Sequence, residues 1–454
     1  MIKYYSSLTQ VIILGFVCFC CPGMYNALNG MGAGGQVDDT TGTNANVALY
    51  TTFAVFGLLG GGVNNILGPR FTIFLGGLTF ALYSGSFLYY NHTHSPAFTI
   101  AAGAILGIGA GLLWAAQGAI MMAYPTENRK GTYIGLFWVI FNLGGVLGGL
   151  IPFGLNYHST VGNVNDGTYI GFMVIQIIGA FLGLALAPPE RVIKDDGTNV
   201  VVQPTPNVLR EFLEVLKLFG NKWMLILTPA FFTTNFFYTY QFNVINGTLF
   251  NVRTRGLNSV LYWAAQMVGA FAFGYFMDSK RFGRRKRGIL GLTVVFVGFT
   301  AVWLGGLFLQ LQFTRSTTAD HTINPHNTID FKMSSIYTGP LFLYIFYGML
   351  DAMFQTYCYW LMGTLTNDST QLSRYAGYYK GVQSAGGAVA WRIDAVGTSF
   401  LAQFIVNWAL LTASIPLMAP VVYKIAETSG CNEEGYEPRP LPKDDSVYAS
   451  DEKA

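Results

Sequence analysis

Polar side chains recur on one helix face inside an apolar run long enough to cross a membrane. Asp351, Gln355 and Tyr359 follow one another at intervals of four within residues 338–362, so they share one face of a helix. Hydrocarbon strongly disfavours such groups, and they therefore indicate a binding site or an ion or proton pathway. A carboxyl at position 351 would need either a partner or a proton.

Three other apolar runs carry polar stripes of the same kind. Because several polar groups lie on each helix, whereas one amide would suffice to hold two helices together, they favour a central cavity over simple helix–helix adhesion. In the first run the stripe follows Pro22-Gly23 and consists of Tyr25, Asn26 and Asn29. In the fourth run it consists of Trp114 and Gln117. In the seventh run it follows a bend expected at Pro229 and consists of Asn235, Tyr238 and Gln241.

Two interpretations of Asp351 remain open at the sequence level. Lys380, in the eleventh apolar run, lies at a different predicted depth, but its long side chain can reach several ångströms along the helix. A static Asp351–Lys380 ion pair is one alternative. A carboxylate that binds a cation or proton in one state and releases it in another is the other.

The composition predicts an all-α integral membrane protein. Of 454 residues, 52% are hydrophobic and only 11% are charged, against about 25% charged in soluble domains. The five cysteines match neither a disulfide framework nor a metal site, and we expect no cofactor. Twelve runs reach the ~20 residues of a membrane span: 8–31, 47–67, 71–90, 97–123, 132–152, 167–187, 223–248, 258–277, 289–311, 338–362, 377–398 and 401–423.

The longest polar connection divides these spans six and six. We expect an N-terminal half at 1–187, a cytosolic linker at 188–222, a C-terminal half at 223–424 and a disordered cytosolic tail at 425–454. The linker contains an amphipathic pattern that predicts a helix opening at Thr205-Pro206, lying on the inner leaflet or under the bundle.

The distribution of cations predicts the orientation. With both termini cytosolic, 20 of the 26 Lys and Arg residues fall on the cytosolic side and four outside, as the positive-inside rule requires. The pattern is equally compatible with the plasma membrane and with vacuolar or other endomembranes. Nucleic-acid binding is excluded as a main role, because the basic loop at 278–287 is short and faces the lipid leaflet.

A cysteine placed at Ser279 tests this orientation. Once the native cysteines are replaced, an impermeant thiol reagent should react with Ser279→Cys only after the cells are opened, because the 278–287 loop is predicted to be cytosolic. Labelling in intact cells would show that the topology is inverted.

Two related loop segments join apolar runs about 213 residues apart. The later reads Gly274-Tyr-Phe-Met-Asp278-Ser-Lys-Arg-Phe-Gly283-Arg284-Arg285-Lys-Arg287, and the earlier reads Gly61-Gly-Val-Asn-Asn65-Ile-Leu-Gly68-Pro-Arg70. Both resemble the loop signature of the major facilitator superfamily, although Asn65 replaces the acid and the later copy has two extra residues. The resemblance implies a 6+6 pseudo-symmetric bundle, with gating roles for Gly61, Asn65, Gly68, Arg70, Gly274, Asp278, Gly283, Arg284 and Arg285. In that superfamily the first, fourth, seventh and tenth helices line the cavity.

Further motifs narrow the resemblance. Gly107-Ile-Gly-Ala-Gly-Leu-Leu-Trp114-Ala-Ala-Gln117, Tyr124-Pro-Thr-Glu-Asn-Arg-Lys-Gly131 and Asp351-Ala-Met-Phe-Gln-Thr-Tyr-Cys-Tyr-Trp360 are similar to the Unc-ninety-three-like branch, especially its fungal members. This resemblance implies a transporter-like fold whose animal members regulate potassium channels or escort receptors. It implies no established substrate.

We therefore expect a secondary transporter of a small solute working by alternating access. The alternative is a non-transporting regulator of an ion channel, or a trafficking chaperone for a membrane client. The expected partners are the lipid bilayer and an unknown solute or coupling ion, or that channel or client. No nucleophile–base pair or phosphate loop indicates an enzyme.

Asn91 and Asn246 are candidate glycosylation sites. All five histidines fall in predicted outer loops, where we expect them to be solvated.

Overall fold

The computed structural model describes residues 3–30, 39–155, 157, 166–200, 208–319 and 328–425. Three predictions lie outside these residues: the helix start at Thr205-Pro206, the tail beyond 425, and the placement of His158, His321 and His326. Most described residues are helical. The first half contains α1 (Ser7–Cys18), a π-helical turn (Phe19–Gly23), α2 (Met24–Gly30), α3 (Asp39–Thr93), α4 (Pro96–Ala123), α5 (Lys130–Leu155) and α6 (Asp166–Gly183).

The remaining helices follow a linker that contains a short 3-10 turn (Pro189–Arg191). They are α7 (Val208–Lys217), α8 (Lys222–Thr233), a π-helix (Tyr240–Gly247), α9 (Val252–Met277), α10 (Arg284–Gln310), α11 (Arg315–Ala319), α12 (Ser334–Leu365), α13 (Ser369–Ala395), α14 (Phe400–Leu417) and α15 (Ala419–Tyr423). The all-α prediction is confirmed.

Eight helices in the described residues are long and apolar enough to cross a membrane. One of them has 54 residues and turns at Gly68, whose φ of 75° suits glycine, so it supplies two of the predicted crossings. The seventh, tenth and eleventh predicted spans correspond to α8 with its π-helix, α12 and α13. These are short or rich in polar residues, and most side chains of α12 and α13 are buried against protein. Their polar groups therefore face the bundle interior.

Two helices that line the centre of the bundle are interrupted. The first span changes to π-helical geometry at Phe19–Gly23, which includes Pro22. Pro229, where a bend was expected, lies inside α8, and the helix is interrupted at 234–237, just before Tyr238 and Gln241. π-Helical segments are frequent at functional sites, and broken helices supply unpaired backbone groups near the midplane of transporters.

Two close helix pairs, α5 with α9 and α3 with α13, form seams that close the bundle at both ends. A Cβ on Gly57 of α3 would lie 2.8 Å from the Gly381 nitrogen of α13, so the two backbones touch there. Gly131 and Gly274 bring α5 and α9 equally close. At the opposite end of the same seam, a Cβ on Gly256 would lie 3.1 Å from the Phe153 backbone. The conformation is therefore occluded.

The amphipathic helix of the linker is present as α7. Val215 and Leu218 are buried. Leu213, Leu216 and Phe219, which belong to the apolar stripe of the amphipathic pattern, are each nearly half exposed. Glu214 lies 3.9 Å from Arg374 of α13, which ties α7 to the bundle. Phe219 packs against Tyr378 of α13, whereas the exposed Leu213 and Leu216 favour contact with the leaflet.

Candidate functional site

A small cavity of about 50 Å³ lies at the centre, bordered by helices from both halves of the chain. This volume accommodates only a few water molecules. Its wall consists of Pro22, Tyr25, Asn26, Leu49, Tyr50, Phe53, Phe80, Leu106, Ala110, Trp114, Trp138, Phe141, Asn235, Tyr238, Gln355, Lys380 and Gln383.

The predicted cavity residues divide into two groups in the structure. Those that line the cavity are Tyr25, Asn26, Trp114, Asn235, Tyr238 and Gln355. Those that lie behind its wall are Asn29, Gln117, Gln241, Asp351 and Tyr359. These residues make hydrogen bonds between helices: Asn46 donates to Asn29 over 2.8 Å, Tyr359 donates to Gln117 over 2.9 Å, and Tyr262 donates to Gln241 over 2.7 Å.

Asp351 is fully buried and receives hydrogen bonds from several side chains. The Gln355 amide donates to Oδ1 over 2.7 Å, which confirms that the two residues share a helix face. The Gln266 amide donates to Oδ2 over 2.6 Å, and the Tyr262 hydroxyl lies 3.3 Å from the same oxygen. Gln355 also borders the cavity, so Asp351 is one hydrogen bond away from it.

Lys380 does not form the direct ion pair with Asp351 that was one of the two alternatives. Its Nζ donates to Gln383 Oε1 over 2.8 Å. The Gln383 amide donates to Gln355 Oε1 over 3.1 Å, so two glutamines bridge the charges. Aromatic rings surround the ammonium instead, with centroid distances of 4.6 Å to Trp114, 4.9 Å to Tyr379 and 5.5 Å to Tyr359. Cation–π attraction and the amide stabilise the cation without a carboxylate.

Several site residues were missed by the sequence analysis. Tyr50, Trp138 and Gln383 line the cavity, but the second, fifth and eleventh spans were not among those selected for polar stripes. Tyr262 and Gln266 contact Asp351 from α9. Their spacing of four, inside an apolar run, was a usable signal, because it places a hydroxyl and an amide on one helix face.

The Asp278 carboxylate joins the ends of α9 and α5. Oδ1 accepts the Gly131 backbone N–H over 2.9 Å, and Oδ2 accepts that of Thr132 over 2.5 Å. Both N–H groups lie in the first turn of α5, where a carboxylate is favoured by the helix dipole. Burial raises the pKa of Asp278 above its ordinary value, while these hydrogen bonds oppose that shift.

Three basic residues of this loop contact helix ends or a neighbouring acid. Arg287 donates to the Met277 carbonyl at the end of α9 over 2.6 Å, and Arg285 donates to the Ile425 carbonyl over 3.2 Å. Arg284 is buried, 4.0 Å from Glu127. Gly283 has a φ of −59°, which any residue can adopt, so its backbone conformation does not require glycine.

The earlier loop copy is built differently. Arg70 donates to the Leu184 carbonyl over 2.7 Å, beside the end of α6. The Asn64 amide crosses the seam and donates to Ser373 of α13 over 3.1 Å. Ser373 in turn donates to the Gly61 carbonyl over 3.1 Å. This contact contains no charge.

Asp278→Asn should loosen its seam more than Asn65→Ala loosens the other. The amide keeps one acceptor, but its NH₂ faces an N–H donor of α5 and the charge–dipole attraction, worth about 0.3–1 kcal/mol, is lost. A reporter cysteine at Ala110 in the cavity wall should therefore label faster in Asp278→Asn, with Asn65→Ala near the parent rate. Equal acceleration in both variants would contradict this assignment.

The opposite end is closed by polar contacts among loops. Arg253 pairs with Asp330 over 2.5 Å, and the Asn251 amide donates to the same carboxylate over 2.6 Å. Asn246 is fully buried and donates to the Gly30 carbonyl over 2.9 Å. Its prediction as a glycosylation site is therefore wrong, since a glycan has no room there. Asn91 is partly exposed, and its amide donates to Asp166 over 2.8 Å, so its glycosylation stays a prediction.

In the described part of the chain, no group of three or more His, Cys, Asp or Glu side chains is arranged to hold a metal ion. Cys18, Cys20, Cys21 and Cys358 are unpaired thiols.

Comparison with known proteins identifies the family. A family model described as ion channel regulatory protein UNC-93 matches residues 33–390. UNC93-like protein 1 from Arabidopsis thaliana is 54% identical over 423 residues, 93% of this chain and 91% of that protein. An UNC93-like protein from Schizosaccharomyces pombe is 44% identical over 436 residues, 95% of this chain and 86% of that protein. A proton:xylose symporter of the major facilitator superfamily shares the fold with a TM-score of 0.57 at 13% identity, covering 92% of this chain and 94% of that structure. The chain thus belongs to the UNC-93 family and is an integral, multi-pass membrane protein with the major facilitator fold.

Proposed function

We propose that the protein is a secondary transporter that moves a small solute by alternating access. The observation that carries this proposal is the central cavity, whose polar wall includes Asn26 of the first span and Asn235, Gln355 and Gln383 from later ones. Such a site, enclosed between two closable seams, is the arrangement that rocking of one half against the other would expose to each side in turn.

Asp351 is the proposed coupling residue. Its carboxylate is buried and contacts Gln355, which itself borders the cavity, so a change in its charge would be felt at the solute site. The xylose symporter with the same fold couples its solute to protons. A proton carried by Asp351 is the corresponding role in this chain.

The second candidate function is regulation of an ion channel or escort of a membrane client. It is favoured by the description of the matched family as ion channel regulatory, and by a cavity of only about 50 Å³. A regulator would use its outer surface, and the seams would then serve stability alone.

Flux into liposomes distinguishes the two functions. Purified protein is reconstituted with a pH-sensitive dye inside the vesicles, and a panel of labelled sugars, amino acids, organic acids and amines is added outside. A transporter should accumulate one solute class and change the internal pH with it, whereas protein-free vesicles should not. Absence of flux for every class, together with specific co-purification of a channel, would instead establish the regulator.

A further inference from the structure

We infer that the solute of the proposed transporter is an organic monoanion with a flat, apolar body, whose anionic group pairs with Lys380. This inference rests on the proposed function, because it concerns the same cavity. It names a substrate class that the fold and the family leave open.

The charge of the cavity wall is the first support. Among the residues that border the cavity, Lys380 is the only charged one, and the nearby Asp351 carboxylate lies behind Gln355. Among the described residues, Lys380 has aromatic rings and one glutamine around it, but no carboxylate within ion-pair distance. An anion in the cavity would supply the negative counter-charge that the aromatic rings and the glutamine do not provide.

Unpaired polar atoms in the same wall are the second support. The indole Nε1–H of Trp138 is buried, borders the cavity and has no hydrogen-bond partner. Buried donors are normally satisfied, so one left open beside a cavity indicates a ligand acceptor. A carboxylate offers two oxygens, one for the Lys380 ammonium and one for an N–H donor. Asn235 Oδ1, also unpaired, can accept from a hydroxyl or N–H elsewhere on the solute.

The shape of the wall indicates the body of the solute. Eight of the 17 bordering residues are aromatic: Tyr25, Tyr50, Phe53, Phe80, Trp114, Trp138, Phe141 and Tyr238. Aromatic faces favour offset or edge contact with a flat ring. In the occluded conformation the cavity is too small for such a ring, since a dry cavity that holds benzene measures about 150 Å³. Binding therefore requires the two halves to separate.

Ligand-dependent thermal stability of the purified protein tests this class directly. Benzoate and indole-3-acetate are compared with their neutral amides, benzamide and indole-3-acetamide, and with the cation benzylamine. Because charge-assisted contacts are lost, Lys380→Met should bind the two anions about tenfold to a hundredfold more weakly, while Lys380→Arg retains them. Lys332→Met is the matched control, since Lys332 also lies over aromatic rings, 5.7 Å from the Tyr157 centroid, but on the exposed surface.

The expected result is a rise in melting temperature with the two anions alone, lost in Lys380→Met and kept in Lys332→Met. If Lys380→Met does not fold, Trp138→Phe, which removes the open donor but keeps an aromatic ring, should weaken anion binding instead. Equal shifts with the amides or benzylamine, or no shift with either anion, would overturn the inference. Anion binding without flux would refute the transporter but support the anion site at Lys380. Flux of a neutral or cationic solute that is unaffected by Lys380→Met would support the transporter but refute the anion site.

Discussion

Asp351→Asn should abolish solute-coupled transport while leaving the bundle folded. The substitution keeps size and one acceptor but removes the charge that binds a proton or cation. Its NH₂ would face donors, yet Gln266 can turn its amide, because Gln266 Oε1 is buried without a hydrogen-bond partner. The stability cost should then stay near that of a single hydrogen bond, about 1 kcal/mol. Uptake rate and its pH dependence in liposomes, measured beside the melting temperature, check both halves of this expectation.

Asp394→Asn is the matched control. Asp394 is also a buried acid, but it lies at the end of α13, binds Arg315 over 2.7 Å and does not border the cavity. Its loss should lower stability and spare transport. A regulator would tolerate Asp351→Asn, since a client touches the outer surface. Stable, correctly localised Asp351→Asn protein with unchanged uptake and pH profile would refute a cavity carboxylate.

Asp351→Asn also tests the alternative that Asp351 and Lys380 form a static ion pair. Removing one partner of a directly paired buried charge costs about 3–5 kcal/mol. Because Lys380 is already stabilised by Gln383 and three aromatic rings, we expect a much smaller loss. We also expect no recovery of stability when Lys380→Met is added to Asp351→Asn.

Gly274→Ala should trap the Asp278 end of the bundle open. The new Cβ would collide with the Gly131 carbonyl and approach within 3.2 Å of the Gly135 Cα, both backbone atoms of α5 that cannot turn aside. The helices must separate there, which breaks the Asp278 hydrogen bonds to α5. Overpacking of this kind costs about 1–3 kcal/mol. Transport should be lost, and a cysteine at Ala110 should label much faster from that end.

Gly305→Ala and Gly339→Ala are the controls for this prediction. A Cβ at either glycine meets nothing within 4 Å, so only the helix propensity changes, by about 1 kcal/mol in favour of alanine. Both should label and transport like the parent. Wild-type transport by Gly274→Ala would show that closure at this end is unnecessary.

Periodicity predicted which residues share a helix face, but not what lies opposite them. Asp351 and Gln355 are in contact as the spacing of four requires. Gln266, the partner of Asp351, and Gln383, the partner of Gln355, come from other helices. Which side chains meet depends on how each helix is rotated about its long axis, and the local sequence does not determine that rotation. The static pair of Lys380 with Asp351 was one of two alternatives, and it rested on helix depth and side-chain reach alone. Trp114 and Tyr359 were predicted as cavity residues, but their spacing did not indicate that they would surround Lys380.

Loop chemistry was predictable where the helix ends determine it. The loop signature singled out Asp278, and its carboxylate caps α5. In the earlier copy the signature singled out Asn65 and did not indicate its neighbour Asn64, whose amide donates to Ser373 of α13. The gating roles of both loops stay predictions. The division into halves at 188–222 and the cytosolic termini stay predictions.

Reversible locking of one seam tests alternating access most directly. Asn64 and Ser373 lie across the α3–α13 seam with side-chain atoms 3.1 Å apart, so Asn64→Cys with Ser373→Cys should form a disulfide on oxidation, in a background without other cysteines. Uptake of the solute found in the liposome screen should stop when the bond forms and return with a reductant, while each single-cysteine variant is unaffected. Undiminished uptake by fully cross-linked protein would contradict alternating access through the central cavity.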